Sequence, residues 1–202
     1  MALTKYNNNS LSNLTALPAS IPTGKLKFIS SQTASNSASI SFTSGLTSTY
    51  KIYRFVFSNI HPRTDGVQFQ FNLSTDSGSN YNVTKTTTGI MARHYEDDTA
   101  PTLRYESTLA LAQSTSYNPL AYNCGFDAKE NTSGIFILFN PASTTYVKHF
   151  ISSVCSSYFD PAIYNNYVAG YGNTTSAVNA IRFQMSSGNF DGTIYLYAID
   201  NS

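Results

Sequence analysis

Val67, Phe69, Phe71 and Leu73 alternate without exception with Gln68, Gln70 and Asn72. A period of two fits a pleated strand and misfits a helix, whose face recurs every three to four residues. The segment therefore predicts a half-buried strand with one wet face. The same period places Ile181, Phe183 and Met185 opposite Arg182, Gln184 and Ser186, and puts Ile40 and Phe42 on one face between residues 37 and 44. The segment from Tyr50 to Ile60 is apolar on both faces, with Tyr53, Phe55 and Phe57 pointing one way and Ile52, Val56 and Ile60 the other. Such a strand sits centrally in a sandwich or at an intersubunit contact. Further strands are predicted over Ile135 to Phe139, Tyr146 to Ser152, Tyr167 to Tyr171 and Thr193 to Ile199. Turn chemistry separates them: His61-Pro62, Thr75 to Asn80, Asn140-Pro141 and Ser187-Gly188-Asn189. Eight or nine strands punctuated in this way predict an all-β fold. A jelly-roll-like antiparallel β-sandwich is the natural eight-strand version.

Residues 25–202 carry this pattern and are expected to form the sandwich. Within them, the stretch from Gly89 to Ala128 is expected to be a long connection with one helical turn around Ser107 to Gln113, a place where binding loops tend to sit. Residues 1–24 differ. Leu3, Leu11, Leu14, Leu17 and Ile21 are spaced through polar residues, and Pro18 and Pro22 forbid a long helix. A flexible tail accounts for the polar residues. An assembly arm docking on a neighbouring subunit accounts for the five spaced aliphatics as well. Extended backbone covers about 3.3 Å per residue, so such an arm reaches a neighbour. Burying one aliphatic side chain contributes roughly 1.5–3 kcal/mol, and fixing one backbone residue costs about 1–2 kcal/mol. The arm is thus expected to order only against a surface that is already rigid.

The chain has 15 Tyr and 13 Phe, ample material for a core, while only 11% of its residues are charged and its formal net charge is +1. Ser, Thr and Asn supply the polar surface instead. The Lys and Arg residues are scattered, which argues against a nucleic-acid partner. No apolar run approaches the ~18 residues that span a bilayer, so no membrane insertion is expected. Met1 to Lys5 lacks the pattern of a secretory signal, and synthesis in a cytoplasm is expected. In a reducing compartment Cys124 and Cys155 are expected to be buried free thiols.

The one dense charged segment is Arg93-His94-Tyr95-Glu96-Asp97-Asp98. A hydrolase would pair its carboxylates, and a metal site would combine His94 with Asp97 or Asp98. Neither finds a second cluster at recognisable spacing, and a solvated loop accounts for the run. His61, His94 and His149 lie far apart, and Asp76 and Asp191 sit singly in turns where a Ca²⁺ loop gathers several carboxylates. No nucleophile elbow, phosphate loop or zinc motif is present. No catalytic residue, no metal ligand and no cofactor is therefore expected. Tyr158, Tyr164, Tyr167 and Tyr171 cluster in one segment and are candidates for stacking on sugar rings; core or interface packing explains them too.

Several segments resemble virion structural proteins of marine tailed bacteriophages. They are Met1 to Lys5 with Asn7 to Leu11, Phe139 to His149, Tyr167 to Tyr171 with Asn173 to Ala177, and Met185 to Tyr197. The resemblance implies a β-sandwich building block displayed on the virion, of the capsid decoration or tail-appendage type, and it supplies no catalytic residues. The expected protein is a homo-oligomer, taken as a trimer, that contacts other virion proteins of the capsid or tail. The alternative is a carbohydrate-binding module of a tail fibre that reads a host surface glycan.

Overall fold

The computed structural model describes residues 26–99, 101–158 and 161–199. In chain order the strands are β1 (Leu26–Ser37), β2 (Ser39–Phe42), β3 (Ile52–Pro62), β4 (Val67–Ser74), β5 (Lys85–Tyr95) and β6 (Thr102–Tyr105). A 3-10 turn, Ser107–Leu109, precedes β7 (Asn118–Cys124), β8 (Thr132–Phe139), β9 (Lys148–Tyr158), β10 (Ala162–Gly172), β11 (Ala180–Met185) and β12 (Phe190–Ile199). The larger sheet runs β1-β12-β3-β8-β9-β10-β5-β6 and the smaller one β2-β11-β4-β7. Every strand pair is antiparallel.

Removing β5, β6, β9 and β10 leaves eight strands ordered β1-β12-β3-β8 and β2-β11-β4-β7. Apart from β4 and β7, which pair within the smaller sheet, consecutive members of this set lie in opposite sheets, which is the two-Greek-key pattern of a jelly roll. The expected all-β, jelly-roll-like sandwich is therefore found, with twelve strands rather than eight or nine. The extra four come as two insertions, β5–β6 between β4 and β7, and β9–β10 between β8 and β11. Both extend the larger sheet beyond β8. Residues 1–24, the expected arm, lie outside the described residues.

Between the sheets lies an aromatic core. Phe183 on β11 meets Phe55 and Phe57 of β3 at ring-centroid distances of 5.3 and 5.1 Å, Phe69 of β4 at 5.9 Å and Phe136 of β8 at 6.2 Å. Phe71 tilts onto Phe136 at 4.7 Å and stands edge-on to Phe150 of β9 at 5.0 Å. A second, smaller cluster of Met91, Ala162 and Tyr164 lies under the extension, with Tyr122 of β7 packed on it.

Two positions depart from strict alternation. Asn59 has φ of 52°, and the register of β3 against β8 shifts between Phe57 and Ile60. This bulge turns Ile60 into the core, where it is fully buried, although unbroken alternation puts it on the face of Ile52 and Val56. Gly192, at φ 126°, lies so close that a Cβ there would come within 2.6 Å of the Asn59 carbonyl oxygen, so only glycine fits.

The stretch from Gly89 to Ala128 is not one long connection. It completes β5, adds β6 and the 3-10 turn, and enters β7 at Asn118-Pro119. The turn docks by placing Leu109 on Gly89, where a Cβ would come within 2.5 Å of the Leu109 Cβ. The inward positions of β5 are Lys85, Thr87, Gly89 and Met91, and their polar atoms are satisfied by the docked segment and its surroundings. The Thr87 Oγ1 donates to the Leu109 carbonyl, and the Thr87 amide donates to that of Leu111.

Lys85 is fully buried and donates from Nζ to Asn72 Oδ1 (2.5 Å) and to the Val83 carbonyl (2.8 Å). Lys148, also buried, donates to the carbonyls of Tyr146 and Thr174. The two lysines lie at one level, each directly opposite Gly172 on the strands either side of β10. Each amine thus closes carbonyl groups that the ladders leave open. Burial lowers the Lys85 amine from its ordinary 10.5 to about 7. In that window the unfolded chain binds more protons than the folded one, so this residue makes stability rise as pH increases from 7 towards 10.5. Urea unfolding of the wild type and of Lys85→Met across pH 7–9.5 checks this. The difference should shift in favour of the wild type with pH, by at most about 1.4 kcal/mol per pH unit. A pH-independent difference would contradict it.

Candidate binding face

The outward side of the larger sheet is where the functional candidates converge. The strand registers place its side chains in rows across all the strands. One row reads Ser31, Tyr195, Val56, Ile135, Ser153, Tyr167, Ile90 and Tyr105 from β1 to β6. The next reads Phe28, Tyr197, Arg54, Ile137, Ile151, Ala169 and Thr88 from β1 to β5. Beyond them, at the end of the sheet where β1 begins, Leu26 lies opposite Ile199, and Ile52 opposite Phe139. On the other side the row is polar from β1 to β10, with Thr33, Thr193 and Ser58, and with Ser133, Cys155 and Asn165, and ends at the β6 edge in Ala92 and Leu103.

Ten large apolar side chains are exposed among the described residues, and eight of them lie on this face: Leu26, Phe28, Ile90, Leu103, Tyr105, Ile151, Ile163 and Tyr167. Phe126 and Tyr146, in loops, are the other two. Scattered exposed apolar residues need no explanation, whereas a continuous apolar face marks an interaction surface. The face holds a hollow of about 500 Å³, floored by Ser153, Ala169 and Thr88 and walled by Ile135, Ile151, Tyr167 and Ile90. A second hollow of about 380 Å³ adjoins it through Ile151, Ala169 and Thr88 and runs to His149 and Tyr171. Small residues on β9, β10 and β5 make the depression, and longer ones two positions along each strand make its walls.

Charge is nearly absent from the middle of this face. Arg54 stands alone there, and its Nε is buried without a hydrogen-bond partner. An apolar occupant that also offers an oxygen acceptor would satisfy it.

The four tyrosines singled out by sequence do not act together. Tyr164 is buried on the inward side of β10, where Tyr122 and Tyr158 meet it edge-on at 6.4 Å. Tyr167 and Tyr171, at odd positions of the same strand, face outward. Tyr167 is 44% exposed and accepts a hydrogen bond from Asn165 Nδ2 at 2.6 Å, while Tyr171 packs against His149 at 5.9 Å. Strand alternation separates the pairs, and only Tyr167 and Tyr171 adjoin the hollows.

The charged run is a strand end and a turn. The Arg93 guanidinium lies 4.6 Å from the Tyr95 ring, His94 Nε2 meets Asp98 Oδ1 at 3.0 Å, and both side chains of that pair are more than half exposed. Hydrogen bonds from the Thr99 hydroxyl and amide hold the Asp97 carboxyl below its ordinary range. Asp76 takes bonds from Ser74 and Asn80 that lower it to about 2 and close the turn after β4. Asp191 accepts from Arg63 and from the Asn36 amide, pinning the β1 bulge to β12. Each carboxylate is thereby spent on local architecture. Among the described residues, no three His, Cys, Asp or Glu side chains form a metal-ligand set.

No helix among the described residues is long and apolar enough to cross a membrane. The chain matches no protein-family model, no curated protein and no solved structure.

The cysteines correct one expectation. Both are free, but only Cys124 is buried, whereas Cys155 is exposed on the outward face. Burial pushes the Cys124 thiol up to about 11. Odd positions of β9 point outward, so Cys155 could not have joined the core. Iodoacetamide at mild alkaline pH should therefore add one group to the native protein, at Cys155, and two after denaturation. Two adducts on the native protein, or none, would contradict this placement.

Proposed function

We propose that this chain is a bacteriophage virion structural protein displayed on the particle surface, as a capsid decoration (cement) protein or part of a tail appendage. It is made in the host cytoplasm, carries out no catalysis, needs no cofactor and assembles as a homo-oligomer, a trimer. The observation that carries the assembly role is the gathering of eight exposed large apolar side chains on one side of the extended sheet. A face of this kind is costly on a free-standing domain and is useful on one that is covered by neighbours. The virion assignment is supported by the resemblance of residues 139–149 and 185–197 to phage structural proteins. The low charge suits a protein held in a shell, where dense like charge would repel its neighbours.

Sedimentation of the full-length protein should give one discrete oligomer, and deletion of residues 1–24 should weaken it. Antibody against the protein should label the heads of tailed-phage particles. Labelling confined to the tail would move the protein to the appendage, and a monomer that labels no particle would refute the proposal.

A second function is favoured by one feature, the exposed ring of Tyr167 beside the apolar hollow. An aromatic face over a shallow depression with hydroxyl groups at hand, here Ser153 and Thr88, suits a sugar ring. A carbohydrate-binding module of a tail fibre would then bind a host surface glycan. Glycan-array binding that Tyr167→Ala abolishes supports this function, and an array blank at every glycan removes it.

A further inference from the structure

We propose that a second copy of this chain covers the outward face of the larger sheet, packed face to face about a two-fold axis that runs along the strands between β8 and β9. This inference rests on the reading that neighbours cover this face, and it names the neighbour. A two-fold contact pairs copies, so in a trimeric assembly it links one trimer to another.

The make-up of the face selects a partner of its own kind. From the level of Leu26 to that of Thr33, Arg54 is the one permanently charged side chain in the rows among the described residues. Tyr105, Tyr167, Tyr171, Tyr195 and Tyr197 recur across them. Aromatic residues and arginine without lysines or carboxylates make up the core of a protein interface. A strongly charged partner finds no complement here, whereas a second copy brings the same neutral rows. The area suffices as well. Strand spacings of about 4.8 Å and rows about 6.7 Å apart give a footprint of roughly 1,000 Å², above the ~800 Å² per partner of a standard specific interface.

The hollow fixes the direction of the axis. A two-fold axis running across the strands would set hollow against hollow and turn the apolar end of one face onto the polar row of the other. An axis along the strands lays each row on its own counterpart, apolar on apolar and polar on polar. Placed between β8 and β9, with four strands on either side, it uses the whole sheet. Both sheets share one hand of twist, so they stay in contact in aligned packing. Strand β3 of one copy then lies over β10 of the other, and β8 over β9. Arg54 stands over Ala169 and Ile135 over Ser153, long side chains above the short ones that floor the hollow. The unpartnered Arg54 Nε gains acceptors in the hydroxyl oxygens of Ser153 and Thr88 of the other copy. The row with Ser133 and Cys155 forms the polar rim, which solvent reaches.

Cys155 supplies a native probe, since it is exposed on this face on one of the two strands beside the axis. Across sheets about 10 Å apart the two Cys155 Cα atoms lie roughly 11 Å from each other, beyond disulfide reach but within that of a bismaleimide with a two-carbon bridge. In a chain carrying Thr33→Cys and Cys155→Ser, the new thiols on β1 lie about 34 Å apart. The native protein should therefore cross-link into pairs at least about tenfold faster than that variant. Ile151→Asp, a change at an exposed side chain, should halve the sedimenting mass and slow the Cys155 cross-link about tenfold or more, because it buries an unpaired carboxylate in the contact. The circular dichroism spectrum and Cys124 protection should stay unchanged. Equal cross-linking rates for the native chain and the Thr33→Cys variant would overturn the inference. An oligomer whose mass and cross-linking ignore Ile151→Asp would overturn it and leave the homo-oligomer reading standing, whereas a chain that stays monomeric overturns both. Glycan binding that Ile151→Asp abolishes, in a native chain that does not cross-link, gives the face to a sugar and overturns it too.

Discussion

Phe183 meets phenylalanine rings from both sheets, and the rest of the structure depends on that contact. One residue on β11 touches Phe55 and Phe57 of β3 and Phe136 of β8 across the sandwich, and Phe69 of β4 beside it. Rings of this size bury 150–250 Å² each, and their edge-on pairings add roughly 0.5–1.5 kcal/mol beyond area. The cluster fixes the distance and alignment of the two sheets. That alignment in turn decides which side of each strand faces outward, and so where the apolar rows of the larger sheet run.

The insertions then convert an eight-strand jelly roll into a platform. The smaller sheet cannot cover an eight-strand partner with four strands. Beyond the aromatic cluster, the inward side of the extension is closed by β7, by Leu109 against Gly89 and by the second cluster around Tyr164. Where apolar cover ends, Lys85 and Lys148 take over and bind loop carbonyls with buried amines. A buried amine without a carboxylate is an expensive way to close carbonyl groups. Its presence at the start of each insertion, on β5 and on β9, shows that the junction of extension and loops is held by hydrogen bonds more than by hydrophobic contact.

The outward face follows from the same construction. Strands β9, β10 and β5 carry Ser153 level with Tyr167 and Ile90, and Ile151 level with Ala169 and Thr88. Small beside large across three strands produces a hollow. The row beyond it is polar at Cys155 and Asn165 and turns apolar again at Ala92 and Leu103, towards the β6 edge. The carboxylates that a catalytic reading would have used are elsewhere, capping turns and bulges. What remains as candidate machinery is shape and apolar surface, suited to holding another molecule.

Sequence alone determined the period of β4 and β11, the two-sided apolar character of β3 and the stops at Asn140-Pro141 and Ser187-Gly188-Asn189, because alternation and turn chemistry are local properties of the chain. It therefore determined the all-β sandwich. It could not show β5, whose inward residues Lys85, Thr87 and Gly89 are polar or absent in side chain; their partners come from a segment some twenty residues on. It placed Ile60 on the wrong side, because the bulge at Asn59 forms only against Gly192, more than a hundred residues away. It grouped Tyr158, Tyr164, Tyr167 and Tyr171 by proximity along the chain, and strand parity then put one pair inside and left the other beside the hollow. The hollow itself belongs to no segment. Its walls come from four strands whose order, β8-β9-β10-β5, is set by long-range pairing, and only the assembled sheet brings them around one depression.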